Sequence, residues 1–323
     1  MSAGTFLQRH DALLLDLDGV VYVGPDPVPH AVHSLRAARA AGLATAFVTN
    51  NAGRPAAVVA EHLRSFGLEV APGDVVTSAQ AGAREVRARV PAGSRVLAVG
   101  GPGVAQSLSD EGLVPVTSAL EGVAAVMMGY GPDVSWRDLA EASYAVAGGA
   151  VFVATNLDLT IPQPRGTAPG NGTLVAAVTA ATGVAPEVVA GKPFPPLIRA
   201  SIARVGSARP LIVGDRLDTD IEAGNRTGVP SLLVLTGVHG VDELLVAAPL
   251  LRPTFVAADL RALATSTDAC AVPSAGQPAG DVDGLGPLRS ACRAAWDAID
   301  AGRSVPEIDR AALRQRVAAA LAS

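Results

Sequence analysis

Apolar and polar positions along this chain alternate in blocks rather than residue by residue. The first block, Ala12 to Leu15, is four apolar residues followed by Asp16-Leu17-Asp18-Gly19. A short apolar run that ends in acids and glycine predicts a buried parallel strand with a polar carboxyl end. Residues 30–41 are rich in alanine and arginine and stop at Gly42, which predicts a helix. Residues 43–48 predict a second strand, ending at Thr49-Asn50-Asn51, and residues 55–66 a helix closed by Gly67. Further strands are predicted at 95–99, 124–128, 151–154, 211–213 and 231–235, with a helix from Thr219. Strands alternating with helices predict a parallel α/β sheet, whose ligands bind at the carboxyl ends of its strands.

Three of these strands end in related polar residues: Asp16 and Asp18, Thr49 and Asn50, and Asp215. If they share one sheet, the material between the second and third is an inserted domain. The expected organisation is a discontinuous core, 1–80 and 190–265, interrupted by an α/β domain at 81–189. After about 265 the texture changes. Residues 265–280 are rich in Ser, Thr, Pro, Ala and Gly and read as a linker, and 284–323 are rich in Ala and Arg and predict helix. Residues 266–323 are therefore expected to form a helical C-terminal extension. A length of 323 residues suits about two domains at roughly 150 residues each.

Composition excludes several classes. Hydrophobic residues make up 49% of the chain, enough for a sizeable core and too many for wholesale disorder. The net charge of −5 offers no basic field for nucleic acid or an anionic membrane. No apolar run reaches the roughly 18–20 residues of a membrane span, and no signal peptide is evident. The only cysteines, Cys270 and Cys292, are too few for a disulfide framework. The expected setting is the reduced cytoplasm, with no nucleic-acid or membrane partner.

One residue count is sharper. Of 25 basic residues, Lys192 alone is a lysine. Arginine replaces lysine readily on a solvated surface but not where a compact point charge is needed. Lys192 stands in Gly191-Lys192-Pro193, where a proline can open a helix. A lysine at a helix N-terminus opposes the helix dipole, so stability does not explain it, whereas a nearby anion would.

The acids point the same way. Along an extended chain, side chains two apart face one side, so Asp16 and Asp18 are expected to converge. Crowded carboxylates call for a hard cation such as Mg²⁺. The ordinary alternative is a solvated capping turn. Gly214-Asp215-Arg216-Leu217-Asp218-Thr219-Asp220 repeats the pattern; helix capping explains Asp218 and Asp220 better than Asp215. Thr49 and Asn50 supply a hydroxyl and an amide suited to phosphate oxygens, or to an ordinary turn. Paired acids, a hydroxyl, a lysine and a further acid at strand ends are what phosphoryl transfer requires.

Asp16-Leu17-Asp18-Gly19-Val20, Thr49-Asn50-Asn51, Gly191-Lys192-Pro193 and Gly214-Asp215 with Thr219-Asp220 resemble, in order, the four motifs of the haloacid dehalogenase (HAD) superfamily. The Thr-Asn-Asn form, the large insertion, Thr155-Asn156-Leu157-Asp158 and Pro169-Gly170-Asn171-Gly172 resemble its 4-nitrophenylphosphatase branch and, within it, actinobacterial glycerol-3-phosphate phosphatases. The resemblance covers about residues 8–265. It implies a Rossmann-like parallel-sheet core with an α/β cap, and a Mg²⁺-dependent phosphatase for a small phosphorylated metabolite.

By the same resemblance Asp16 would be the nucleophile and Asp18 the general acid and base, with its backbone carbonyl on Mg²⁺. Asp16, Asp18 and Asp215 would be the metal ligands. Thr49, Asn50 and Lys192 would hold the phosphoryl group, and Asp220 would orient its loop. Asn156 and Asp158, in the cap, would contact the substrate. Val20 stands where the family often has threonine, which removes a hydroxyl but no assigned role. The favoured substrate is glycerol 3-phosphate; phosphoglycolate, pyridoxal phosphate or a nucleotide are alternatives, and a homodimer is open. A phospho-aspartyl signalling module or a scaffold with 281–323 as a docking element is the reading from another class. Against a receiver module stand the acid pair on the first strand and the insertion after the Thr motif.

Overall fold

The computed structural model describes residues 4–163 and 165–323. The chain is a parallel α/β protein with C-terminal helices, and it divides into two compact units. One runs through Phe47 and adds Ser65–Leu68 and Ile202–Ser323; the other comprises Val48–Arg64 and Glu69–Ser201.

The first unit is built on parallel strands in the spatial order Phe255–Ala257, Ser231–Val234, Pro210–Gly214, Ala12–Leu15 and Ala44–Thr49. Leu13 lies between Leu211 and Thr45, and Leu14 between Ile212 and Ala46. Every residue of Ala12–Leu15 is buried, as expected for a strand covered on both faces. Val48 and Thr49, which end the strand Ala44–Thr49, already belong to the second unit.

The second unit has its own parallel sheet, ordered Val188–Val189, Val151–Ala154, Ala125–Met128, Arg95–Val99 and Val114–Val116. Met127 and Met128 are core residues on its two faces, one packed with Val104 and Leu108, the other with Phe152 and Val175. An antiparallel hairpin, Thr160–Gln163 with Gly166–Pro169, follows the strand Val151–Ala154. Its alternation was too weak for the sequence to show.

The C-terminal segment is helical at Gly286–Asp300 and Arg310–Ala322. The stretch that leads to it is packed at one end and exposed at residues 274–278. Within 265–280, Thr267, Ala269 and Cys270 are buried around a short helix, Thr267–Cys270. Leu285, Leu288, Cys292, Ala295, Trp296 and Leu313 join Leu244, Leu245 and Val256 in one apolar core. Trp296 Nε1 donates to the Leu244 carbonyl at 2.9 Å. Arg289 is fully buried and donates to the Val256 carbonyl and to Asp283. A small-residue composition resembles a linker, but small residues also pack closely, and only the contacts separate the two cases.

Candidate active site

Each unit carries one set of polar residues at the ends of its strands. In the first unit Asp16 directly follows the strand Ala12–Leu15, and its N–H extends the ladder to the Val213 carbonyl at 2.9 Å. Carboxylate oxygens of Asp16, Asp215 and Asp220 all lie within 4.8 Å of one another. Asp215 and Asp220 are buried and Asp16 is half-buried.

Asp18 is not among these three, and it is exposed. The expected convergence of Asp16 with Asp18 required an extended chain. The chain instead turns, with the N–H groups of Val20, Val21 and Tyr22 all directed at the Leu17 carbonyl. The side chain that meets Asp16 comes from Asp220, five residues beyond Asp215. That region was expected to start a helix at Thr219. The helix is present and starts two residues earlier, with one wide π-helical turn, Leu217–Ile221, that runs on as the α-helix Glu222–Thr227. Asp220 Oδ2 accepts from Arg216 N at 3.2 Å and Thr219 Oγ1 at 3.3 Å, which orients it inward. Gly214 makes this possible, since a Cβ there would come within 2.1 Å of the Asp220 Cβ. Asp218 points elsewhere and pairs with Arg216 at 2.8 Å. Burial pushes the Asp218 carboxyl up, but the bonded Arg216 guanidinium outweighs it and holds the group below its usual range.

Three carboxylates this close, two of them buried, repel one another and lose hydration. A hard divalent cation with oxygen ligands offsets both costs, so the donor set fits Mg²⁺ or Ca²⁺. The wall behind Asp215 is backbone: a Cβ at Gly237 would lie 2.0 Å from Asp215 Oδ2.

In the second unit Thr49, Asn50, Lys192, Asn156 and Asp158 come together. Thr49 and Lys192 are buried. Thr49 Oγ1 accepts from Asn51 N at 3.0 Å, which folds the Thr-Asn-Asn turn back on itself. Asn50 Oδ1 accepts from Lys192 N at 2.8 Å, and Asn50 Nδ2 donates to the Lys192 carbonyl at 3.0 Å. The same Nδ2 lies 3.2 Å from Asp158 Oδ2. The Asn50 side-chain amide is thus committed to protein partners. The Asn50 carbonyl accepts from Ser78 Oγ at 2.6 Å and Asn156 Nδ2 at 2.7 Å. Asn156 Oδ1 accepts from Asp158 N at 3.1 Å. Asn171 Nδ2 completes the chain by donating to the Asn156 carbonyl at 2.8 Å. Lys192 Nζ reaches the Val48 carbonyl at 3.4 Å.

Ser78 and Asn171 were not candidates from the sequence. Asn171 lies in the Pro-Gly-Asn-Gly segment, which was the one available signal; Ser78 had none. Cys270 and Cys292 are free and buried, with no metal-ligand grouping among the described residues.

A parallel sheet with clustered carboxylates at strand ends, a buried lysine and a Thr-Asn turn defines a phosphoryl-transfer enzyme of α/β type. The sequence matches the family described as haloacid dehalogenase-like hydrolase over residues 13–114, and a HAD-hydrolase-like family over residues 189–263. It is 45% identical over 285 residues to a D-glycerol 3-phosphate phosphatase of Mycobacterium tuberculosis, covering 88% of this chain and 79% of that protein. It is 35% identical to an acid sugar phosphatase of Staphylococcus aureus, covering 74% and 91% of the two chains. Among solved structures, a glycerol phosphate phosphatase from M. tuberculosis in complex with magnesium superposes with a TM-score of 0.88 at 41% identity, covering 97% of this chain and 98% of that one. A 4-nitrophenylphosphatase from Thermotoga maritima superposes with a TM-score of 0.75 at 28% identity, covering 82% and 100%. The chain belongs to the haloacid dehalogenase superfamily and is a phosphatase of it.

Proposed function

We propose that this enzyme hydrolyses a small-metabolite phosphomonoester, glycerol 3-phosphate foremost, through an acyl phosphate (phospho-aspartyl) intermediate on Asp16 and with Mg²⁺ bound. The observation that carries the reading is the clustering of Asp16, Asp215 and Asp220. The similarity to a D-glycerol 3-phosphate phosphatase and an acid sugar phosphatase supports the substrate class.

In this mechanism a carboxylate oxygen of Asp16 attacks phosphorus, and the bond from phosphorus to the alkoxide oxygen breaks. Asp18 gives its proton to that oxygen, releasing the alcohol. Asp18 then takes a proton from water, whose oxygen attacks phosphorus; the bond to Asp16 breaks and inorganic phosphate leaves. The exposure of Asp18 supports a role that needs water and the leaving group. Thr49 and Lys192 hold the phosphoryl oxygens, and Asn50 acts by holding Lys192. Asn156 and Asp158 would contact the alcohol portion of the substrate. Asp16 and Asp215, with the Asp18 backbone carbonyl and Asp220 close by, would hold Mg²⁺, which supplies charge stabilisation at the phosphoryl group.

In this reading 1–80 and 190–265 form the catalytic core, 81–189 the cap and 266–323 an extension integrated with the core. The expected setting is cytoplasmic, with no nucleic-acid or membrane partner. The net charge of −5 supports the absence of polyanionic partners, and a homodimer is testable by sedimentation. The deciding experiment is phosphate release over some tens of phosphorylated metabolites with Mg²⁺. Glycerol 3-phosphate should rank first by kcat/KM. Preference for phosphoglycolate, pyridoxal phosphate, a nucleotide or a sugar acid phosphate would move the substrate assignment. No release from any would overturn the reading.

A further inference from the structure

The segment after the strand Ser231–Val234 makes contacts that no catalytic role explains. Thr236 Oγ1 donates to the Gly19 carbonyl at 2.5 Å, in the loop that carries Asp16 and Asp18. Two residues on, Val238 N donates to Asp215 Oδ2 at 2.7 Å, and His239 N donates to the Asp215 carbonyl at 3.2 Å. The His239 ring then accepts, at Nδ1, the N–H of Leu217 at 2.8 Å. Gly237 lies so close that a Cβ would sit 2.0 Å from Asp215 Oδ2. Four consecutive residues, all within the first unit, therefore tie the Asp16 loop to the Asp215 loop and orient one Asp215 oxygen.

Within residues 236–239, the His239 ring is the side chain that bonds the backbone of the turn. Leu217 opens the wide turn Leu217–Ile221 that delivers Asp220 to the cluster. Arg216 and Asp218, the charged neighbours of Leu217, satisfy each other, with Asp218 Oδ1 3.9 Å from the same ring nitrogen. The ring nitrogen is thus the partner that anchors the Leu217 amide.

We propose that residues 236–239 are the positioning strap of the carboxylate cluster, and that His239 is a positioning residue setting Asp215 and Asp220 for the divalent cation. The inference rests on the Mg²⁺-phosphatase reading above. Partners that orient metal ligands commonly change metal affinity or activity by about 10–100-fold when removed.

The test compares the full-length wild type with His239→Leu, His239→Asn and Thr236→Val. The readouts are the Mg²⁺ concentration that half-saturates thermal stabilisation, the Mg²⁺ concentration for half-maximal phosphate release, and kcat at saturating Mg²⁺. A cation that binds only the folded protein raises its melting temperature with concentration, so the first readout is independent of turnover. His239→Leu should raise both Mg²⁺ half-saturation values by about tenfold or more and leave saturated kcat within about threefold. His239→Asn, whose Oδ1 can accept the Leu217 N–H, should stay within about threefold of wild type in all readouts. Thr236→Val, nearly isosteric, should shift in the same direction as His239→Leu and keeps the proposal testable if that variant does not fold. Unchanged Mg²⁺ half-saturation in His239→Leu, or in Thr236→Val where the former is unfolded, overturns the strap while leaving the phosphatase reading intact. Equal losses in His239→Asn and His239→Leu overturn the acceptor role. A wild type with neither Mg²⁺-dependent stabilisation nor phosphate release overturns both readings.

Discussion

Asn50 and Lys192, 142 positions apart, hold each other by a reciprocal pair of hydrogen bonds: the Asn50 amide oxygen receives the Lys192 N–H at 2.8 Å, and its nitrogen donates to the Lys192 carbonyl at 3.0 Å. The contact fixes the backbone of the single lysine and so limits where its ammonium can reach. Asn50→Asp replaces the donor with a second carboxylate facing Asp158. It should destabilise the protein by roughly 1–3 kcal/mol, the cost of unsatisfied polar partners. Asp158→Asn added to it should recover part of that loss, measured as a double-mutant cycle in urea. A double variant no more stable than Asn50→Asp would refute the pairing.

Lys192→Arg tests whether chemistry kept the lysine. The group is buried, and a guanidinium is larger, planar and fork-shaped. The expected loss in kcat is about 10²–10³-fold, as for a lost electrostatic stabiliser. Arg199→Lys, at an exposed position in the helix Pro195–Val205, should be nearly silent. More than about a third of wild-type activity in Lys192→Arg would end the argument.

Asp16→Asn should abolish phosphate release while the fold persists, because an amide keeps the shape but cannot attack phosphorus. Asp18→Asn should cost about 10²–10⁴-fold in kcat, the usual range for a lost general acid and base. Circular dichroism checks the fold in both. Substantial turnover by clean Asp16→Asn would remove it as the nucleophile.

Trp296→Ala tests whether the C-terminal helices belong to the core of the first unit. The ring is 3% exposed, shares a core with Leu244 and Leu245, and donates to the Leu244 carbonyl. The change should cost about 3–5 kcal/mol, read as a lower denaturation midpoint. A loss below about 1 kcal/mol would show the helices to be dispensable.

The thiols should be silent in the native state. Burial raises the Cys270 thiol and pushes Cys292 up to about 12. Both are therefore protonated at pH 8, and the thiolate is the reactive form. A thiol reagent at pH 8 should label neither residue until the chain is unfolded, when both react; rapid native labelling would contradict their burial.

The elements and the chemistry were largely legible in the sequence because both are written locally. Ala12 to Leu15 is apolar enough to require a doubly covered strand, and the acids that end it cannot continue into the core. The strands at Arg95–Val99 and Val151–Ala154 coincide with the predicted spans for the same reason. The scarcity of lysine singled out Lys192 before any contact was known. Short strands such as Val75–Thr77, Val114–Val116 and Val188–Val189 were missed, since two or three apolar residues carry no period.

By itself the sequence determined that paired acids, a Thr-Asn turn and one lysine lie at the ends of parallel strands. Tertiary structure alone decided which of them meet. Asp220 joins Asp16 and Asp215 because the chain widens at Leu217–Ile221 and Gly214 leaves room for its side chain, and neither follows from side-chain alternation. Asn50 spends its amide on Lys192 because a loop 142 residues away presents a matching donor and acceptor. The C-terminal helices pack into the core because Leu244 and Val256 offer them an apolar face. Each outcome depends on a partner distant in sequence, and local patterns hold no information about such partners.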